Sequence, residues 1–230
     1  MTLRILIVTA VAAEADSVAR GLRHDGPGAQ GAEILVGGVG PASAAASTAT
    51  ALARAADTGT APYGLVVSTG IAGGFRPHAP IGTVVVSDAI VSADLGAQTP
   101  DGYLTVEELG FGRSVHPVAP ELTARISRAL RPQPHTVAPV LTVSTVTGTA
   151  ERAAELAARH PRAAAEAMEG FGVAEAAAAH GVPVVEIRAV SNAVGPRDRA
   201  AWRIGEALDA LRTTFQLLSH SLSVEPTCEN

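Results

Sequence analysis

Gly64-Leu65-Val66-Val67-Ser68-Thr69-Gly70-Ile71-Ala72-Gly73-Gly74 is the stretch on which the reading of the fold turns. Its first half, residues 64–68, is a short apolar run. Its second half supplies glycines, which let a backbone turn sharply and bring amide groups against a ligand. A plain turn closing a strand accounts for those glycines equally well. Similar apolar, β-branched runs occupy residues 3–8, 83–86 and 182–190, and residues 140–146 read as a further strand. Continuous rather than alternating apolar runs predict strands covered on both faces, as in an α/β sheet. Alanine-rich segments with helical character lie between them, over residues 12–22, 42–56, 121–130, 151–159, 172–180 and 200–218. Pro41 and Pro120 suit first helical turns, Thr149 with Glu151 and Arg152 marks another helix start, and Gly181-Val182-Pro183 stops a helix. Residues 94–117 read as irregular, with Tyr103 and Phe111 exposed, and are the loop expected to reach a ligand or partner. The expected organisation is one domain over residues 1–220 and a disordered tail over 221–230.

The 230 residues are 47% hydrophobic, 17% charged and 3% aromatic, with a formal net charge of -5. A chain of this length buries roughly 70–75% of its unfolded surface and needs no staples. The mildly acidic balance carries no footprint for nucleic acid. All 17 cations are arginine. With no lysine, Schiff-base catalysis, a Walker-type phosphate loop and a kinase lysine are excluded. The single cysteine, Cys228, lies in a polar tail, so there is no disulfide framework, which fits a reducing compartment. Near the N-terminus, Glu14 and Asp16 follow the apolar stretch where a signal peptide would need small residues, so a buried strand and helix are expected there. No run of about 18 apolar residues is present. The expectation is a soluble cytoplasmic protein without membrane or nucleic-acid partners.

Several polar residues fall at strand and helix ends. Glu14 sits just past the first strand, where open α/β sheets bind ligands, although a helix N-terminal acid complementing the dipole explains it equally well. Gly37-Gly38-Val39-Gly40 precedes a helix but lacks the spacing of a dinucleotide loop, and reads as a tight strand–helix turn. Glu166 reads as a solvated charge, whereas Glu169 stands between a small apolar stretch and a helix. Glu186, inside a buried strand, is expected to pair with an arginine, because an unpaired buried charge is costly. Asn192 ends the strand Ile187-Arg188-Ala189-Val190-Ser191 and is either a rim residue or an ordinary turn residue. The seven histidines show no metal-ligand spacing, so neither metal nor cofactor is expected.

Taken in order, Glu14, the run Thr69-Gly70-Ile71-Ala72-Gly73-Gly74, Met168-Glu169 and Arg188-Ala189-Val190-Ser191-Asn192 resemble the purine nucleoside phosphorylase and nucleosidase superfamily. The resemblance covers residues 3–218 and implies a three-layer sandwich with a central mixed, twisted sheet flanked by helices. Within the superfamily, Met168-Glu169-Gly170-Phe171-Gly172 and residues 188–198 are most similar to the futalosine hydrolase branch, which implies release of hypoxanthine in menaquinone biosynthesis. The resemblance also implies roles. Glu14 would activate the attacking water and Glu169 would hold the ribose hydroxyls above Met168. Gly70, Ile71, Ala72 and Gly73 would form the floor beside the sugar, and Val146 and Thr147 would face the purine, where the nucleosidases' stacking aromatic is missing. Proteins of the family are usually homo-oligomers in which a neighbour's loop closes the site, and residues 94–117 are the candidate.

Two departures refine this expectation. Methylthioadenosine nucleosidases carry an aspartic acid where this chain has Asn192. An asparagine cannot protonate a leaving base, but its amide donates to the N7 and O6 acceptors of hypoxanthine. Mismatched buried donors cost about 1–3 kcal/mol, or roughly 10–100-fold in discrimination. Phosphorylases of the family place an arginine before the glycine run and a hydroxyl within it, whereas Ser68 and Ile71 stand there in this chain, which favours water as the nucleophile. The benzoate end of futalosine would call for a cation or donor, with Arg113, His116, Arg197 and Arg199 as candidates. The alternatives are a methylthioadenosine/S-adenosylhomocysteine nucleosidase, a 6-oxopurine nucleoside phosphorylase and, outside enzymes, a nucleoside-binding sensor. The presence of both Glu14 and Glu169 disfavours the last, since a pure binder needs no water-activating carboxylate.

Overall fold

In a computed structural model of the chain, the described residues are 4–23, 31–58 and 61–219. The tail at 221–230, Cys228 and Leu3 lie outside them. The elements in chain order are β1 (Arg4–Thr9), α1 (Ala12–Leu22), β2 (Ala32–Val36), α2 (Pro41–Asp57), β3 (Tyr63–Gly74), β4 (Val84–Val86), β5 (Ala89–Ser92), β6 (Gly96–Thr99), β7 (Gly102–Thr105), β8 (Val115–Pro117), α3 (Pro120–Ala129), β9 (His135–Val137), β10 (Val140–Thr142), α4 (Ala150–Arg159), β11 (Ala165–Ala167), α5 (Gly170–Ala179), β12 (Val184–Ala193) and α6 (Ile204–Leu218).

Ten strands form one mixed sheet, in the order β8-β5-β10-β11-β3-β12-β4-β9, with β1 joined to β3 and β2 to β1. The long strand β3 organises it. One edge pairs in parallel with β12, while the other takes β1 along its first half and β11, antiparallel, at Gly73 and Gly74. Both faces are covered, as continuous apolar strands require. Ile5 and Ile7 pack with Val18 of α1 and Leu211 and Phe215 of α6. The alternate residues Leu6 and Val8 pack with Leu52 of α2 and Val173 of α5. Leu6 and Ile7 are both fully buried. The protein is thus the helix–sheet–helix sandwich that the family resemblance implies. Among the described residues no helix is long and apolar enough to cross a membrane.

Helix starts follow local chemistry. Pro41 and Pro120 are first helical residues, and the Thr149 hydroxyl accepts from the Arg152 amide at 3.1 Å. Four readings are corrected. The glycine run is not a strand-ending turn: β3 continues through it, because missing Cβ atoms let neighbouring chain approach, and a Cβ at Gly74 would lie 2.2 Å from the Ala79 carbonyl. The strand expected over residues 140–146 stops at Thr142, after which the Ser144 amide bonds to the Asp94 carboxylate. The helix expected from residue 200 begins at Ile204, since Asp198 caps a 3-10 turn (Arg199–Ala201) and Trp202 is extended. Residues 94–117 are not irregular throughout, for β6 and β7 form a hairpin and β8 joins the main sheet.

Candidate active site

The C-terminal ends of β1, β3 and β12 open into a cleft of about 250 Å³. Glu14, Ile71, Ala72, Gly73, Val146, Thr147, Met168, Glu169 and Asn192 all line it. Gly70 lies beneath, where a Cβ would fall 2.4 Å from Glu14 Oε1 and 2.8 Å from Arg188 Nη1. A side chain at this position would collide with both.

Glu14 is in the first turn of α1 and is 4% exposed. Its Oε2 accepts from the amides of Ala10 and Val11 at 3.0 and 3.3 Å, so the carboxylate does cap its own helix. Its Oε1 accepts from the Ile71 amide at 2.9 Å. Helix-capping acid and cleft residue are therefore one and the same. A carboxylate offers about four lone-pair sites, so the three amides leave room for one more donor.

Glu169 stands at the N-terminus of α5. It accepts from the Gly40 amide at 3.2 Å and meets Arg188 Nη2 at 3.1 Å. The Gly37–Gly40 turn, readable from sequence only as a strand–helix connection, thus supplies a donor to the cleft's carboxylate. Gly40 has φ of +89°, a left-handed conformation that favours glycine.

Arg188, 1% exposed, anchors this region from below. Its Nε bonds Glu186 at 2.7 Å and its Nη2 reaches the Ser68 hydroxyl at 3.3 Å. The arginine expected to pair with Glu186 is therefore Arg188. Burial alone would lower the arginine's pKa, but Glu186, Glu169 and Glu14 outweigh it and raise it above its ordinary value. Burial pushes the Glu186 carboxyl up, against the pull of Arg188.

Glu166 is not the solvated charge expected. It is 5% exposed and lines the cleft. Its Oε1 accepts from the Thr147 amide at 2.8 Å, and the Thr147 hydroxyl donates to Oε2. Burial pushes its carboxyl upward, with the Thr147 bonds pulling it back. Asn192 Oδ1 accepts from the Ser191 hydroxyl at 2.9 Å, and Nδ2 donates to the Ala193 carbonyl at 3.0 Å, leaving one N–H. Trp202, not singled out from sequence, joins the lining beside Asn192. Its signal was only that it is the sole tryptophan, ten residues past that asparagine.

The four candidate cations separate. Arg113 and His116 both engage Glu175, at 3.2 and 2.7 Å, and neither lines the cleft. Arg197 borders an adjoining recess with Asn192 and Trp202, its guanidinium 5.7 Å from the Trp202 ring. Arg199 begins the 3-10 turn. Among the described residues no cluster of three or more His, Cys, Asp or Glu side chains could hold a metal ion. A larger groove, about 580 Å³, runs along β2 and α2, where Glu33 binds both Arg4 and Tyr63.

A model of the phosphorylase superfamily matches residues 28–222. A futalosine hydrolase of Streptomyces coelicolor is 60% identical over 221 residues, covering 91% of this chain and 92% of the relative. One from Acidothermus cellulolyticus is 48% identical, covering 95% and 91%. Among solved structures, the 5'-methylthioadenosine/S-adenosylhomocysteine nucleosidase of Neisseria meningitidis, in complex with methylthio-immucillin-A, superposes with a TM-score of 0.77 at 17% identity over 94% of this chain and 99% of its own. These matches agree with the mixed sheet flanked by helices, and the chain belongs to the phosphorylase superfamily and, within it, to the futalosine hydrolase family.

Proposed function

We propose that this chain hydrolyses the N-glycosidic bond of futalosine, releasing hypoxanthine and dehypoxanthinyl futalosine in menaquinone biosynthesis. The observation that carries the substrate is the 60% identity, over 91% of the chain, to a relative named for that reaction. The cleft's chemistry supports water as the nucleophile. Glu14, Glu166 and Glu169 line it, and no cation does among the described residues. Arg188, buried beneath Glu169, is sealed by Glu186 and Glu169. Three carboxylates disfavour a phosphate dianion.

In this reading Glu14 orients water at the anomeric carbon and takes its proton as the new C–O bond forms and the C–N bond breaks. The transition state is oxocarbenium-like. Glu169 holds the 2' and 3' hydroxyls over Met168, and Ile71, Ala72 and Gly73, above Gly70, floor the sugar. Val146, Thr147 and Trp202 border the base. The free N–H of Asn192 donates to the purine edge, and the departing base takes its proton from solvent. Arg197 is the cation best positioned for the substrate's carboxylate. The chain acts in the cytoplasm as one domain over residues 1–220 and as a homo-oligomer, with Phe111, 81% exposed in the 94–117 segment, reaching a neighbour. Chromatography of bases released from futalosine, inosine and methylthioadenosine tests the reading. Hypoxanthine from futalosine is expected, and adenine from methylthioadenosine alone would overturn it.

A further inference from the structure

Glu186 is a buried acid to which the proposed hydrolysis gives no task. It is fully buried on β12, two residues before Arg188. Its Oε1 accepts from Arg188 Nε at 2.7 Å, while its Oε2 has no hydrogen-bond partner among the described residues. Gly170, the first residue of α5, makes room for the carboxylate, since a Cβ there would lie 2.0 Å from Oε2 and 2.4 Å from Oε1. Glu186 therefore lies beneath the helix start that carries Glu169.

Ion pairing alone does not explain this acid. Arg188 already meets Glu169, at 3.1 Å through Nη2, and that pair by itself is neutral. A second buried carboxylate on the same guanidinium adds a desolvation cost and leaves one oxygen unbonded. What it changes is the sign of the cluster. The charges of Glu186, Glu169 and Glu14 all act on Arg188, so one cation is set against three carboxylates. In N-glycosidic cleavage, positive charge develops on the sugar ring as the C–N bond breaks. Fixed charges aimed at a developing charge are most effective where water is excluded.

We propose that Glu186 is a positioning residue for the transition state: by holding and neutralising Arg188 from below, it leaves Glu169 and Glu14 as uncompensated negative charges for the oxocarbenium-like sugar. This rests on the reading of the cleft as a nucleosidase site. The Nε contact favours the ionised form of Glu186. The test uses two ligands that the enzyme cannot hydrolyse. One is 9-deazahypoxanthine on an iminoribitol, cationic at its ring nitrogen in mild acid. The other is 9-deazainosine, its uncharged ribose counterpart. Both are titrated calorimetrically into wild type and Glu186→Gln, beside futalosine turnover. Glutamine keeps an oxygen for Arg188 Nε and loses only the charge.

Wild type is expected to bind the cation more tightly. In Glu186→Gln that preference should fall about 10-fold, with 9-deazainosine affinity unchanged and kcat for futalosine lowered more than KM is altered. Asp209→Asn removes an equal charge from the exposed pair with Arg212 and should leave the preference as it is. A wild type without preference would overturn the proposal, as would equal losses for both ligands in Glu186→Gln or a matching shift in Asp209→Asn. Should Glu186→Gln not fold, Glu186→Asp decides, because it keeps the charge: retained preference supports the proposal and lost preference overturns it. The binding comparison does not depend on futalosine being the substrate. A charge preference that Glu186→Gln weakens, without hypoxanthine release from futalosine, would remove the futalosine reading alone. Turnover of futalosine with an unshifted preference in Glu186→Gln would remove this inference alone.

Discussion

The Ile71 amide donates to Glu14 Oε1 at 2.9 Å, tying the first turn of α1 to the middle of β3 across 57 residues of sequence. With the amides of Ala10 and Val11 it fixes a carboxylate that has one acceptor site left for a water molecule. General-base catalysis of this kind contributes about 10²–10⁴-fold. Glu14→Gln is therefore expected to lower kcat by that range while product affinity, read by calorimetry, changes little. Near-normal turnover would remove Glu14 as the base.

Gly70 is where that arrangement is most easily disturbed. In Gly70→Ala the new methyl would stand 2.4 Å from Glu14 Oε1 and 2.8 Å from Arg188 Nη1, so at least one of them must move. Small displacements of reacting groups cost on the order of 10²-fold. Hypoxanthine release should fall by about that factor with KM altered less, and wild-type kinetics would show that the carboxylate's position is not critical.

Arg188→Met leaves Glu186 and Glu169 buried without their cation. Breaking such a buried pair destabilises by about 3–5 kcal/mol. The exposed pair Arg203 and Glu206, 3.8 Å apart, provides the contrast, and Arg203→Met should cost about 0–1 kcal/mol. Urea unfolding of both variants measures the difference, and equal midpoints would contradict the account of Arg188 as the anchor.

Asn192→Asp exchanges an amide donor for a carboxylate where the proposed reading sets the purine edge. The kcat/KM ratio of hypoxanthine-bearing to adenine-bearing nucleosides should fall about 10–100-fold. An unchanged ratio would place base choice elsewhere.

Stability should report the burial of Glu166. Its folded carboxyl titrates above the ordinary value of 4.5, with Arg152 of α4 pulling it down and Asp94 pushing it up. Between those two values the folded protein retains a proton that the unfolded chain has released, so stability from this group falls as pH rises through that window. Glu166→Gln lacks the titration. Its unfolding free energy relative to wild type should therefore climb as pH rises from about 4.5, and a pH-independent difference would contradict the shift.

The parts legible in the sequence were those with strong local signals. α1 runs from Ala12 to Leu22 as its pattern predicts, and Thr149 caps α4. Glu14 and Glu169 stood out as acids at element ends. What escaped was set by tertiary contact. Glu166 sits in Ala165-Glu166-Ala167, too short to show alternation, and only its pairing with Gly73 reveals a buried face. The short strand β9 was missed because its residues are half-exposed and carry little apolar signal, whereas β2, with Ile34-Leu35-Val36, is apolar but short and half-exposed beside β1. The Gly40 amide at Glu169 bridges 129 residues and has no local signature.

The most direct test of the central claim is hypoxanthine release from futalosine by the purified protein, with and without inorganic phosphate. Release at the same rate in both, yielding the free sugar product, is the predicted result. Release that requires phosphate and yields a sugar phosphate, or no release at all, would contradict it.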